Sequence, residues 1–539
     1  MTKVLLVTGG GWHNFDECGQ LLGELLKNTG RADVTITQDR KVLGSPDLKS
    51  YDQVIMYTQG GKLTAKEEQG ITSFVKAGKG FLGIHCAADS FVENLKYIEM
   101  VGGKFAGHGP CHEFGVNVDN KEHELTKRFG PFTITDELYL LDQVEGDNKN
   151  VLLSSIWQGK KHPMAYTKQY GKGKVVYLAL GHDRRAFANP EFQKLCLRSV
   201  NWLGGVKERK APRCAAIGYG GAFNMGKHHG QQIKDCGIEF VGVCDVDRNR
   251  LVEAEKDFPG IKTYDDPDKL MADPEVDLVV VITPHNTHAP LAIKALRAGK
   301  HVVTEKPFCI TVAEATAMIE AAKKSGVMLS VYHNRRWDGD FMMIRDVLQK
   351  GIIGEPFHLE AYFGGFGHPG TWWRADKAIS GGAMYDWGAH FVDWVLNLMP
   401  YKMESVTGFF HKRVWFGVSN EDQCQAIIRF EGGRTADIQQ SSIARAPKPR
   451  FRILGTKGAI TDSWGGSFKV STEIEGVPTE MEIKYREGQW KEYWRNVSDH
   501  LMSGDPLVVT AEQARRVIAV IETAEKSSAA GKTLPTPVE

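Results

Sequence analysis

Between Arg213 and Thr311 the chain carries residues whose order points to a dinucleotide site with a reactive amine beside it. An apolar strand runs into Gly218-Tyr219-Gly220-Gly221, Asp245 closes the next strand, Phe240-Val241-Gly242-Val243-Cys244, and Glu305-Lys306-Pro307 follows a later one. Residues without a side chain allow a tight turn and let a pyrophosphate approach the backbone, where the next helix offers unpaired N–H groups and a positive dipole end. Asp245 stands 27 residues past Gly218, where a carboxylate can accept both ribose hydroxyls, which favours NAD over NADP. The loop departs from the simple fingerprint, because Phe223 occupies the third glycine position and the next glycine is Gly226. Its context supports it all the same: a strand before, helix-like Gln231-Gln232-Ile233 after, and an acid at the next strand end.

Oxidising an alcohol with NAD needs a base for the hydroxyl proton, a group that holds the oxygen as charge develops, and a clamp that aims the carbon hydrogen. Lys306, Asp386 and His390 can supply the first two. Asp386 and His390 are four apart, so on a helix both project from one face, beside an apolar stripe of Met384, Trp387, Phe391, Val395 and Leu398. His390 suits the general base, Lys306 the substrate oxygen and the tuning of that base, and Asp386 the orientation of substrate or histidine. A single histidine on a helix is more often structural, so the assignment leans on the motif around it.

That motif, Gly381-Gly382-Ala383-Met384-Tyr385-Asp386-Trp387-Gly388-Ala389-His390, follows Thr283-Pro284-His285-Asn286-Thr287-His288 and Ala298-Gly299-Lys300-His301-Val302-Val303-Thr304-Glu305-Lys306-Pro307. With these three motifs in order, residues from about 211 onward resemble the Gfo/Idh/MocA oxidoreductases. The resemblance implies a Rossmann domain, then an α/β domain whose open antiparallel sheet carries the substrate, typically a sugar or polyol. It implies that Thr283, Pro284, His285, His288, Glu305 and Lys306 lie by the cofactor, with His285 and His288 lining the nicotinamide side or capping the helix near Ala289. It also places Asn334-Arg335-Arg336 and Trp372-Trp373-Arg374 near substrate. Arg335, Arg336, Trp373 and Arg374 are then substrate-binding candidates, through aromatic planes on sugar faces and guanidinium donors to hydroxyls, with ordinary packing the equal alternative.

The first 205 residues resemble the trehalose-utilisation (ThuA-like) family, which shares the flavodoxin-like layout of class I glutamine amidotransferases. The matching residues are Gly83-Ile84-His85-Cys86-Ala87-Ala88-Asp89, Gly102-Gly103-Lys104-Phe105-Ala106-Gly107-His108, Asp136-Glu137-Leu138-Tyr139 and Leu180-Gly181-His182. An amidotransferase needs a cysteine at a strand-to-helix elbow, and here His85 holds that position with Cys86 one step along, so glutaminase chemistry is not expected. His13, His85, His108, His112, Glu137 and His182 fall at expected strand ends or loops, the rim where such sheets place sites. No pair shows HxH or HExxH spacing, so the expectation is a carbohydrate-binding or accessory pocket, with a structural role as the alternative and no metal assigned.

A chain of 539 residues exceeds one core. A break at 204–212, where Gly204-Gly205, then charge and Pro212, replace a helix pattern, sets a linker at 206–212 between residues 1–205 and a dinucleotide-binding domain at 213–332 followed by a substrate domain at 333–539. Upstream of the linker, strands Val4–Val7, Gln53–Tyr57, Gly80–Ile84 and Lys174–Leu180 alternate with helices Cys18–Asn28 and Ala65–Ala77, the pattern of a parallel sheet covered on both faces. Downstream of Tyr332, Phe357–Phe363, Ser405–Phe410, Gln423–Phe430, Thr435–Ile443 and Arg450–Leu454 are short, turn-separated and antiparallel in character. A helix around Met384–Leu398 and a final one, Ala511–Ala529, are placed to cover that sheet or dock on the Rossmann domain. The expected fold class is thus α/β throughout: flavodoxin-like, then Rossmann, then a largely antiparallel open sheet.

Lys plus Arg (67) balances Asp plus Glu (66), which leaves no field for nucleic acid or an anionic membrane. Nine cysteines without CxxC spacing suit reduced thiols, and with no leader pattern at Met1–Gly9 a cytoplasmic protein is expected, with self-association left open. The leading reading is an NAD-dependent oxidoreductase that converts a ring hydroxyl of a sugar or glycoside to a ketone. The alternatives are an NAD-dependent glycosidase acting by transient oxidation and elimination, and a non-catalytic sugar or cofactor sensor.

Overall fold

The structure, a computed structural model, describes residues 1–143, 148–221 and 223–538. The chain forms two compact units, one of residues 1–209 with Ser503–Pro506, the other of 210–502 with 507–539.

The first unit is built on strands β1 (Thr2–Gly9), β2 (Ala32–Thr37), β3 (Gln53–Thr58), β4 (Gly80–Ile84), β5 (Gly103–Val118), β6 (Phe132–Gln143), β7 (Asn150–Trp157), β8 (Lys160–Tyr170) and β9 (Gly173–Leu178), in the order β2-β1-β3-β4-β9-β8-β7-β5-β6. The first five are parallel, and β3 and β4 are buried along their whole length, which is why they read as unbroken apolar runs. Helices Phe15–Asn28, Ala65–Lys76 and Pro190–Leu203 cover them, the second opened by a reciprocal cap between Thr64 and Glu67.

The expected parallel sheet is present, and β8, β7, β5 and β6 extend it antiparallel. Strand β5, Gly-Lys-Phe-Ala-Gly-His-Gly-Pro-Cys-His, reads as a loop because glycine, proline and histidine hide its alternation, and its pairing with β6 is interrupted at Phe105/Gly107 and His108/Cys111.

In the second unit, β10 (Arg213–Ile217), β11 (Glu239–Cys244), β12 (Lys262–Tyr264), β13 (Leu278–Val281), β14 (His301–Thr304) and β15 (Leu329–Val331) form a parallel sheet ordered β12-β11-β10-β13-β14-β15. Strands are added on one side of β10 up to β12 and on its other side from β13 onward, and the crevice beyond the carboxyl ends of β10 and β13 at this switch is where such sheets bind ligands. A second sheet contains β16 (Pro356–Gly364), β17 (Met403–His411), β18 (Gln423–Phe430), β19 (Thr435–Ser441), β20 (Phe451–Gly455), β21 (Gly458–Asp462), β22 (Ser467–Ile474), β23 (Val477–Lys484) and β24 (Leu534–Pro535). All its pairings are antiparallel except β16 with β19.

The helix Ala511–Ala530 packs on β17, on the helix Trp387–Leu398 and on the Rossmann helix Val312–Ser325, so it both covers the sheet and docks on the nucleotide half. One apolar core, including Val280, Phe308, Trp394 and Ile518, runs through both halves. No helix among the described residues is long and apolar enough to cross a membrane.

We propose that residues 1–209 fold alone, since a core from Val4 to Val200 lies entirely within them. One group opposes this: Arg198, 4% exposed, pairs bidentately with the fully buried Asp505 at 3.3 and 2.8 Å. Removing one partner of a buried pair typically costs about 3–5 kcal/mol, and a 1–209 fragment, while keeping the Lys127 carbonyl that Arg198 also bonds at 2.6 Å, lacks Asp505. Arg198→Met is therefore expected to stabilise a 1–209 fragment in urea unfolding while destabilising the full chain; a change of the same sign in both would refute the explanation.

Candidate active site

The dinucleotide side begins where β10 ends. Gly218 has φ +100°, and a Cβ there would lie 2.5 Å from the Ile282 carbonyl oxygen, so the turn admits no side chain. Asn224 caps the helix Met225–Asp235, its side chain accepting from the Lys227 N–H at 3.3 Å. The close-packing glycine is Gly226, whose Cβ would meet the Tyr219 ring at 2.6 Å, while Phe223 is exposed. A turn that leaves no room for a β-carbon at Gly218 or Gly226, leading into a helix amino terminus, fits a pyrophosphate.

Asp245, buried at the end of β11, accepts the Tyr219 N–H at 2.8 Å on one oxygen and the Asp247 N–H at 2.9 Å on the other. Each oxygen keeps a second lone pair for a ribose hydroxyl. The Arg250 guanidinium approaches within 3.5 Å, a proximity that its place five residues along did not indicate.

At the end of β14 the chain places Lys306, whose Nζ donates to Asp386 Oδ1 at 2.8 Å and to the Asp386 carbonyl at 3.3 Å. Asp386 is the N-cap of the helix Trp387–Leu398 and not a residue within it, with φ −81° and ψ −91°, so the expected shared helical face with His390 is corrected to a cap and a first-turn position. Its carboxylate makes no capping bond, and faces Lys306 and, at 3.7 Å, Arg374 Nε. Burial alone would raise the Asp386 carboxyl, but Lys306 and Arg374 outweigh it and hold it at about 2. His390 is 5% exposed, and burial, then the Lys306, Arg335 and His333 charges, push it well below its ordinary value, so the imidazole is neutral at physiological pH.

The lysine is held from behind by a relay that sequence reasoning missed. Trp494 Nε1–H donates to His229 Nδ1 at 3.2 Å, which leaves His229 Nε2–H to donate to Glu305 Oε1 at 2.9 Å, and Glu305 Oε2 accepts the Lys306 backbone N–H at 3.0 Å. Glu305, expected at the cofactor, thus has both oxygens engaged by protein. His229 lies in Lys227-His228-His229, a stretch that reads as solvent-facing, yet it is fully buried against Tyr332.

Other expected site residues divide. Both ring nitrogens of His288 lie against backbone carbonyls, Pro307 at 2.8 Å and Thr283 at 2.9 Å, and its N–H donates to one of them, so the ring sits between the two loops and does not face a ligand. Thr283 Oγ1 is bonded to Thr287 at 2.6 Å, and Pro284 precedes the turn His285–Thr287. His285 Nδ1 lies 2.8 Å from the Ser380 carbonyl and its buried Nε2 has no partner; burial and then His288 lower it to about 3.

Arg336 is corrected from substrate ligand to structural clamp, since it is buried and bonds Asp393 at 2.9 and 2.6 Å, the Val508 carbonyl and Gln513. Arg335 instead lies over the Trp387 and Trp490 rings at 4.6 and 5.5 Å. Arg374 stacks on Trp373 at 4.5 Å and Trp372 at 4.8 Å, and Trp373 meets His285 edge-on at 4.9 Å. Arg374 therefore stands at the Lys306–Asp386 pair with Trp373 stacked on it, and Arg335 lies over Trp387, the residue next to Asp386.

Residues 212–333 match the family model described as oxidoreductase family, NAD-binding Rossmann fold, and 341–461 match the GFO/IDH/MocA C-terminal domain. A scyllo-inositol 2-dehydrogenase (NADP(+)) of Bacillus subtilis is 30% identical over 324 residues, 53% of this chain and 86% of that protein. The chain belongs to the Gfo/Idh/MocA oxidoreductase family. A myo-inositol 2-dehydrogenase of Thermotoga maritima is 29% identical over 58% of this chain and 95% of its own. An NAD-binding protein from Listeria innocua, solved as a crystal structure, superposes with a TM-score of 0.55 at 30% identity, covering 61% of this chain and 97% of that one. Residues 3–203 match the trehalose-utilisation (ThuA) model. This Gfo/Idh/MocA oxidoreductase accordingly carries a ThuA-like unit ahead of an NAD-binding one.

Asp245 would repel a 2′-phosphate, while Arg250 beside it would attract one once the carboxylate is gone. NAD is expected to bind more tightly than NADP in calorimetry. Asp245→Ala is expected to narrow the ratio by about tenfold or more, roughly 1.4 kcal/mol, and adding Arg250→Ala to cancel the gain in NADP affinity. Equal binding of both cofactors by the wild type would remove Asp245 from this role.

Proposed function

We propose that the chain oxidises a ring hydroxyl of a sugar or glycoside to the ketone. The observation that carries this reading is the Lys306–Asp386 pair, 2.8 Å apart, beside a buried neutral histidine. His390 takes the hydroxyl proton, and its neutral state lets it act as a base without prior deprotonation. Lys306, aimed by Asp386, holds the oxygen as negative charge develops on it. When bound, NAD supplies the acceptor for the hydride leaving the alcohol carbon. Trp373 offers a plane for a sugar face, and Arg335 and Arg374 offer donors to its other hydroxyls. The two relatives, scyllo- and myo-inositol 2-dehydrogenases, act on cyclic polyols, which supports a ring secondary alcohol as the reacting group.

Lys306→Ala and His390→Ala are expected to slow single-turnover NADH formation by at least about 10²-fold, the typical worth of a positioned acid or base, while the NAD dissociation constant stays within a few-fold. Near wild-type turnover in either variant would refute the assignment, and loss of NAD binding would make the residue cofactor-holding. A panel of sugars, polyols and glycosides, followed by NADH absorbance and product mass, is expected to show net NADH with a ketone product. Cleavage of a glycoside without net NADH would replace this reading with the redox glycosidase.

A further inference from the structure

The carboxyl ends of three strands in the first unit bring together side chains that the oxidoreductase site does not use. His13 follows β1, His85 follows β4 and His182 follows β9, and one potential ligand atom from each lies within 4.8 Å of the others. Their ring centroids are 5.1, 4.8 and 5.5 Å apart. A tetrahedral set at about 2.1 Å from an ion has nitrogens roughly 3.4 Å apart, a difference that small side-chain rotations close.

The local structure fixes how these rings present themselves. His85 sits at the strand-to-helix elbow with φ +46°, a left-handed conformation that a residue with a β-carbon rarely adopts. Its Nδ1 lies 2.8 Å from the Ala179 carbonyl and donates to it, so the lone pair is on Nε2. His13 Nδ1 lies 3.3 Å from the His182 carbonyl, which frees its Nε2 in the same way. Asp136 pins the loop carrying His182, accepting the Gly181 N–H at 2.7 Å and the His182 N–H at 2.9 Å.

His85 Nε2 and His182 Nδ1 are buried with no hydrogen-bond partner. Glu137, from β6, stands 3.5 and 3.2 Å from these atoms and 3.0 Å from His108 Nδ1. The acid thus stands within ion-pair reach of both nitrogens, which face one point shared with a third imidazole.

We propose that His13, His85 and His182 bind a divalent transition ion of the zinc type, with Glu137 beside its fourth position. Three imidazoles with an acid at the remaining site are the donor set of a zinc centre that keeps one position for water or a substrate oxygen. The absence of HxH or HExxH spacing does not bear on such a site, because its ligands come from three separate strand ends and the fold alone brings them together.

The test uses the full-length protein, stripped with a chelator, dialysed and reloaded with Zn2+ or Co2+. Elemental analysis after gel filtration is expected to find one zinc per chain, and Co2+ loading to give the visible absorption of a low-coordinate nitrogen-ligated ion. His13→Gln and His182→Gln are each expected to weaken Zn2+ binding by at least about 100-fold, more than loss of an outer-shell partner does, while His112→Gln leaves it unchanged. NAD binding by the second unit and an unchanged far-ultraviolet circular dichroism spectrum report that each variant is folded. Failure of the wild type to retain zinc, retention equal in wild type and both glutamine variants, or an octahedral Co2+ spectrum lost on gel filtration would overturn the proposal.

Discussion

The contact between Lys306 and Asp386 is the constraint around which the second unit is organised. A lysine at the end of β14 and an aspartate at a helix cap of the other half meet at 2.8 Å only if the two sheets share one core, and they do. The lysine is aligned from behind by Glu305, His229 and Trp494, residues drawn from a strand end, a Rossmann helix and the helix Lys491–Ser503. The aspartate is placed by Gly381 and Gly382, at φ +87° and +134°, and by a helix whose buried face carries Phe391, Val395 and Leu398. The cation has two electrostatic effects: it keeps Asp386 ionised despite burial, and it adds to the burial that keeps His390 neutral.

Both units follow the same rule of parallel sheets, with polar groups gathered where strands end and helices begin. In the second unit the gathered groups are Gly218, Asp245 and Lys306. In the first they are His13, His85 and His182, with Glu137 contributed by the antiparallel extension. Such strand ends present backbone N–H groups and short loops, so side chains distant in sequence converge there without local spacing to announce them.

The glycine turn, Asp245 and Lys306 were legible because their roles are local: a turn that admits no β-carbon, a carboxylate at a strand end, a lysine after an apolar strand. The long buried strands were legible for a similar reason, since β3, β4 and β18 are apolar runs or alternations bounded by turns. Tertiary pairings were not. Arg336 reads as a substrate donor until Asp393, 57 residues on, occupies it. His229 reads as solvated until Trp494 buries it, and β5 reads as a loop because its glycines and histidines pair with β6 through irregular register. His288, one residue type in a matching motif, proves to sit between two loops.

Burial, reinforced by the Lys306 charge, holds His390 in its neutral, proton-accepting form. Histidine-labelled protein followed by NMR across pH, with His390→Gln to assign the resonance, measures this directly. The His390 midpoint is expected to lie well below 6.5 in the wild type and to rise in Lys306→Met, because burial remains while the neighbouring cation is gone. A wild-type midpoint at or above 6.5, or one that Lys306→Met leaves in place, would contradict the account.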